Sequence, residues 1–82
     1  MQSDEIRSNL MHLLSETLGA DPEQLTNATY IEDLAADSLE VTQLVMEIEA
    51  KFGLEIADRD AEAFRTVGDV VSFLEIKKNP QH

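Results

Sequence analysis

Ser38 is the residue best placed to do chemistry. It stands in Asp37-Ser38-Leu39. A serine hydroxyl either attacks as a nucleophile or accepts a group from another enzyme. The first use requires an adjacent base. The two histidines are His12 and His82. The helical pattern puts His12 off the apolar stripe of the first helix and His82 in the tail. No glycine-rich turn or oxyanion-hole loop surrounds Ser38, so neither a triad nor a nucleophile elbow is visible. If Ser38 has a role, another enzyme modifies it. A phosphate ester there would lie beside the unpaired N–H groups and positive dipole of a helix start. The plain alternative is a polar residue at a helix start. Asp58, Asp60, Glu62 and Asp69 share the spacing of a calcium loop. Ala63 stands where that loop needs glycine, and Asp69 where it needs glutamate. They read as the acidic start of a short helix, and no metal site is expected.

Four segments position these residues. Ile6, Leu10, Leu13, Leu14 and Leu18 fall on one face of a helix from about Asp4 to Leu18. Gly19 and then Asp21-Pro22 end it. A long connection follows to about Asp37, with Leu25, Tyr30, Ile31 and Leu34 to pin it across the helices and a single turn around Pro22 to Leu25. The second helix spans Ser38 to about Phe52 and stops at Gly53. Asp37 as N-cap puts Glu40 at N3 and closes a capping box; Ser38 as N-cap would put Val41 there instead. The first register leaves the Ser38 hydroxyl free. A short helix runs from Asp58 to about Phe64. The last follows Thr66, an N-cap with Asp69 at N3, and reaches about Ile76 with Val67, Val70, Val71 and Leu74 inward. The expected fold is all-α: a small four-helix bundle of three main helices and one short one, with a long loop between helices 1 and 2. Residues 1–82 form one domain, folded over about 4–76, with 77–82 a frayed tail containing Pro80.

Composition narrows the function. The chain has 82 residues, 17 Asp plus Glu against 6 Lys plus Arg, and a net charge of −11. A domain this small buries only ~60% of its unfolded surface, so no large internal active site fits. Zero cysteines exclude disulfides, thiolate metal sites and cysteine redox chemistry. The acidity argues against nucleic acid and anionic membrane surfaces and for basic partners. No segment is long and apolar enough to span a membrane. The acidic start Met1-Gln2-Ser3-Asp4-Glu5 is unlike a signal peptide, which leads us to expect a cytoplasmic protein.

The second helix has two faces. Val41, Leu44, Val45, Ile48 and Phe52 point inward. Leu39, Gln43, Met46 and Ala50 lie opposite, flanked by Glu40, Glu47 and Glu49. Isolated exposed apolar residues are ordinary. The same pattern also suits a docking surface, with Leu39 and Met46 as anchors and the acids attracting basic residues. Glu32-Asp33-Leu34-Ala35-Ala36-Asp37-Ser38-Leu39-Glu40 resembles the attachment motif of the acyl carrier protein family. Leu44-Val45-Met46, Glu49-Ala50-Lys51-Phe52, Glu55-Ile56, Asp58 to Glu62, Thr66-Val67, Gly19 and Leu25-Thr26-Asn27 extend the likeness over about residues 4 to 76.

That resemblance implies a carrier rather than an enzyme. Ser38 would receive 4′-phosphopantetheine from a phosphopantetheinyl transferase (holo-synthase) that uses coenzyme A. Acyl groups would ride on the arm's thiol as thioesters. Asp37 would position the transferase and its metal. Leu39, Glu40, Met46, Glu47 and Glu49 would be read by basic-surfaced synthases, reductases and acyltransferases, the carrier acting as a monomer. The acyl cleft would be lined by Tyr30, Ile31, Val41, Leu44, Ile48, Ile56, Ala61, Phe64, Val70 and Phe73. Four departures stand out. Ala35 replaces a usual glycine; Gln43, Ala50 and Lys51 replace frequent acids; Ala57 replaces a common proline. Bulky Phe64, Val70 and Phe73 imply a narrower or shorter cleft and a specialised carrier in fatty-acid or polyketide-like synthesis. The alternatives are an aminoacyl or D-alanyl carrier, or an acidic helical interaction module with Ser38 unmodified.

Overall fold

The computed structural model describes residues 3–35 and 37–78. Five α-helices lie among them: α1 Ser3–Leu18, α2 Ile31–Leu34, α3 Ser38–Phe52, α4 Asp58–Glu62 and α5 Val67–Lys78. A single 3-10 turn, Pro22–Gln24, falls where the Asp21-Pro22 signal places one. α1 packs on α3, α5 and that turn. Its stripe of Ile6, Leu10, Leu13 and Leu14 meets Leu44, Ile48 and Phe52 of α3 and Val67, Val70, Val71 and Leu74 of α5, all buried. Burial of this apolar surface is the main force holding the helices together. Leu18, Val41 and Val45, expected inside, are only partly buried.

The long connection is held in place rather than loose. Leu25, Ile31 and Ala35 are buried. The Ile31 amide donates to the Arg65 carbonyl at 2.8 Å, and the Val67 and Gly68 amides donate to the Thr29 and Asn27 carbonyls at 2.9 Å each. Arg7 of α1 also donates to the Asn27 side chain. This approach favours glycine at 68, because a Cβ there would lie 3.0 Å from the Asn27 carbonyl oxygen and push that stretch of loop back by a few tenths of an ångström. α2 is an element that periodicity did not indicate. It has no side-chain cap, and its first residue is fixed by the bond to Arg65. α5 also runs two residues past the expected end. Lys77 and Lys78 are helical, and Lys78 Nζ donates to the Phe52 carbonyl at 2.8 Å, which satisfies an orphan group at the α3 C-terminus. Residues 79–82 lie outside the described part.

Thr66 and Asp69 cap α5 reciprocally. The Asp69 amide donates to Thr66 Oγ1 at 3.2 Å, and Asp69 Oδ2 accepts the Thr66 and Arg65 amides at 3.1 and 3.2 Å. The Thr66 amide is the chief cause that holds the Asp69 carboxyl below its ordinary value, with help from the Arg65 amide, the Thr66 hydroxyl and the Arg65 charge, against some desolvation. A lowered native pKa favours the fold above the ordinary aspartate range, and that contribution is lost as pH falls through the lowered value. Asp69→Asn is therefore expected to flatten the acid limb of a stability–pH curve. A carboxyl titration of Asp69 by NMR with a midpoint at or above the ordinary aspartate value would refute this.

Two departures from the family pattern are accommodated. Ala35 has φ −95°, and no described non-glycine residue has positive φ, so no glycine is needed there. Ala57 sits at φ −68°, ψ 152° before α4, close to the value that proline fixes. Among the described residues its amide makes no backbone bond, while its carbonyl accepts from the Asp60 and Ala61 amides. Ala57→Pro is expected to stabilise the fold by about 0.4–1 kcal/mol through the unfolded chain. A melting temperature that drops in this variant would contradict it.

Candidate functional site

The N-terminus of α3 presents Ser38. Asp37 is the N-cap, extended at φ −158°, ψ 179°, and its Oδ1 accepts the Glu40 amide at 3.0 Å. The cap therefore rests on Asp37, and Ser38 occupies the first helical position. Thr42 Oγ1 donates to the Ser38 carbonyl at 3.0 Å. No described residue bonds the Ser38 hydroxyl, and the residue is exposed. His12 gives it no base: it is exposed on α1 and meets Glu16 at 3.1 Å. His82 lies outside the described residues. A serine so placed is open to modification, and neither the described histidine nor any other described residue hydrogen-bonds it as a base would.

A groove of about 370 Å³ starts at Ser38 and runs over Val41, Thr42, Val45, Asp58, Ala61 and Glu62, between α3 and α4. Val41, Ala61 and Glu62 also line a cleft of about 530 Å³ whose other walls are Tyr30, Ile31, Glu32, Phe64 and Arg65. The groove at the serine thus adjoins a partly apolar recess, the two sharing Val41, Ala61 and Glu62 as walls. Of the residues expected to line an acyl cleft, Tyr30, Ile31, Val41, Ala61 and Phe64 line this recess. Leu44, Ile48 and Val70 are buried in the core and Ile56, also buried, borders a different groove; none of the four lines this one. Phe73 stands one layer behind, T-shaped against Phe64 with ring centroids 5.2 Å apart. Tyr30 requires correction as a core position. It is 52% exposed, because the bond that draws Ile31 inward leaves its neighbour at the mouth. Glu32, Glu62 and Arg65 were not expected at the cleft. Their helical or loop positions carry no apolar signal.

The outer face of α3 is as the periodicity indicates. Leu39 is 77% and Met46 62% exposed, with Glu47 exposed and Glu40 half-buried. Glu49 differs. Its Oε2 accepts the Ile56 amide at 2.7 Å, so it braces the α3–α4 connection as well as edging this face. Alongside lies an outer groove of about 760 Å³, lined by Met46, Glu49, Ala50, Leu54, Glu55, Ile56, Ala57, Arg59, Asp60 and Lys77. Among the described residues no cluster of His, Cys, Asp or Glu is arranged to hold a metal ion, and no helix is long and apolar enough to cross a membrane.

The family described as phosphopantetheine attachment site matches residues 8–74. An acyl carrier protein of Thermotoga maritima is 47% identical over 75 residues, 90% of this chain and 93% of the relative. One from Chlamydia caviae is 42% identical over 76 residues, 92% and 94% of the two chains. The solved structure of acyl carrier protein from Enterococcus faecalis superposes with a TM-score of 0.76 at 36% identity, covering 90% of this chain and 95% of that one. With the attachment family spanning most of its length and relatives this similar over nearly their whole chains, the protein belongs to the acyl carrier protein family, whose prosthetic group is 4′-phosphopantetheine.

Proposed function

We propose that Ser38 bears the 4′-phosphopantetheine and that the cleft beyond the Ser38 groove shelters the acyl chain. The observation that carries this reading is the exposed Ser38 hydroxyl, bonded by no described residue, in a groove that adjoins a partly apolar recess. The residues present fit the group. The phosphodiester would lie at the start of α3, where the first-turn amides and the helix dipole favour an anion. Val41, Val45 and Ala61 offer apolar surface along the way. When bound, the group supplies a terminal thiol that holds acyl chains as thioesters. The chain's own residues anchor, present and shelter; the chemistry is left to partner enzymes. Asp37 fixes the register that exposes Ser38 and sets a carboxylate beside it for the transferase and its metal.

Leu39, Glu40, Met46 and Glu47, with Glu49 at the edge, form the face for basic-surfaced synthases, reductases and acyltransferases. Apolar anchors ringed by acids match such partners by charge. The whole chain acts as one carrier domain in the cytoplasm. Its side chains at the cleft suit a shorter or narrower cargo, with Phe64 and Phe73 bulky on that side, as in a specialised acyl pathway. Incubation with coenzyme A and a broad-specificity phosphopantetheinyl transferase, followed by intact mass measurement, tests the attachment. A single phosphopantetheinyl mass gain on Ser38 is expected, and an unchanged mass would overturn the assignment.

A further inference from the structure

We infer that Phe64 sets the length of acyl chain the cleft accepts, and that a longer chain is registered at the outer groove through Phe73 and Lys77. This rests on the reading that cargo tethered at Ser38 enters the cleft. Phe64 lines the cleft; Lys77 lines the outer groove; Phe73 lines neither and touches both. The Phe64 and Phe73 rings meet edge to face at 5.2 Å and 69°. Lys77 Nζ lies 5.6 Å from the centre of the Phe73 ring. Three side chains thus join the inner recess to an exposed surface that also holds Met46, Leu54 and Arg59.

The three are not equally fixed. Phe64 follows α4 in a short connection, its amide donating a hydrogen bond to the Ala61 carbonyl at 3.1 Å. Phe73 is anchored in the twelve residues of α5. Lys77 is exposed, and an exposed cation–π contact is the weakest link of the series. Both rings are packed against the core, and a packed interior leaves no slack. A chain that stops short of Phe64 disturbs nothing. One that reaches further must turn Phe64 aside, break its contact with Phe73 and re-aim the Phe73 ring, and the contact that yields is Lys77. Whatever differential contact a partner makes with Lys77 then couples to cargo length, and the coupling is reciprocal.

The test loads the full chain with butanoyl, hexanoyl, octanoyl, decanoyl and dodecanoyl groups from the matching acyl-coenzymes A, and follows each species by NMR. Shifts of the Val41, Ala61 and Phe64 amides should grow with chain length and then level off. In Phe64→Ala, and in the milder Phe64→Leu should the first fail to fold, the plateau should move to at least the next longer chain. The Lys77 side-chain methylene signals, shifted by the Phe73 ring, should move only for chains beyond the wild-type plateau. That movement should vanish in Phe73→Leu while the cleft shifts remain. The same plateau in wild type and Phe64 variants, or Lys77 signals indifferent to every chain, would overturn the inference. Absence of any mass gain would instead defeat the Ser38 assignment. Complete loading without cleft shifts for any chain would defeat the cleft reading.

Discussion

Ser38→Ala is expected to abolish phosphopantetheinylation outright while leaving the fold intact. The loss should be complete because the hydroxyl oxygen is the atom to which the phosphate would be joined, and no neighbouring group can replace it. Thr42, the nearest hydroxyl along α3, donates to the Ser38 carbonyl and lies a full turn away. The fold should survive because the Ser38 side chain is exposed and bonds to no described residue, and surface changes of this kind are usually within ±0.5 kcal/mol. Asp37→Ala separates attachment from presentation. It removes the cap on the Glu40 amide, at a cost of ~1 kcal/mol, yet keeps the hydroxyl. Attachment should therefore slow without disappearing. Intact mass over a time course of transferase treatment carried to exhaustion, with circular dichroism on each variant, decides the matter. A mass gain in a folded Ser38→Ala protein would place the group elsewhere.

Much of this site was legible because it depends on local rules. A cap followed three residues later by Glu40, an apolar stripe of period 3.6, and a terminal glycine place α3 at Ser38–Phe52 and stop it at Gly53, which adopts φ 65°. The exposure of Leu39 and Met46 follows from the same wheel. Features that depend on contacts distant in sequence were not legible. α2 forms where the Arg65 carbonyl takes the Ile31 amide, and Ile31 with Leu34 is too brief a pattern to announce a helix. Glu49 reads as a rim acid until the chain turns Ile56 back onto it. Lys78 reads as tail until the Phe52 carbonyl comes within its reach. Tyr30 and Ile31 both read as anchors of the long loop, but the bond from the Ile31 amide to the Arg65 carbonyl decides that Ile31 faces inward and Tyr30 outward. The cleft itself is shaped by such contacts. Its apolar members could be named from the family, while Glu32, Glu62 and Arg65 were found only by folding the chain.

Leu74→Ala should bring the protein close to unfolding at low ionic strength, and salt should recover part of the loss. Leu74 is fully buried in the cluster that joins α5 to α1 and α3. Truncating such a leucine typically costs ~2–5 kcal/mol, since the lost transfer energy is compounded by the cavity left behind. A domain of 82 residues has roughly 4–12 kcal/mol of stability in all, at the usual value per residue. The truncation therefore removes a large part of it, and the melting temperature should fall by on the order of 10 °C or more. The net charge of −11 adds a second, independent strain, because folding draws like charges together. Exposed charges are screened over about 10 Å at 0.1 M salt, so added sodium chloride or magnesium should raise the melting temperature of wild type and variant alike. Salt cannot refill the cavity, and the gap between the two proteins should persist across the series. Thermal melts at several ionic strengths measure both effects. If Leu74→Ala melted within a few degrees of wild type, Leu74 would not be the keystone of the α5 interface. Equal melting temperatures from low to high salt would show that the fold spreads its acids widely enough to escape their repulsion.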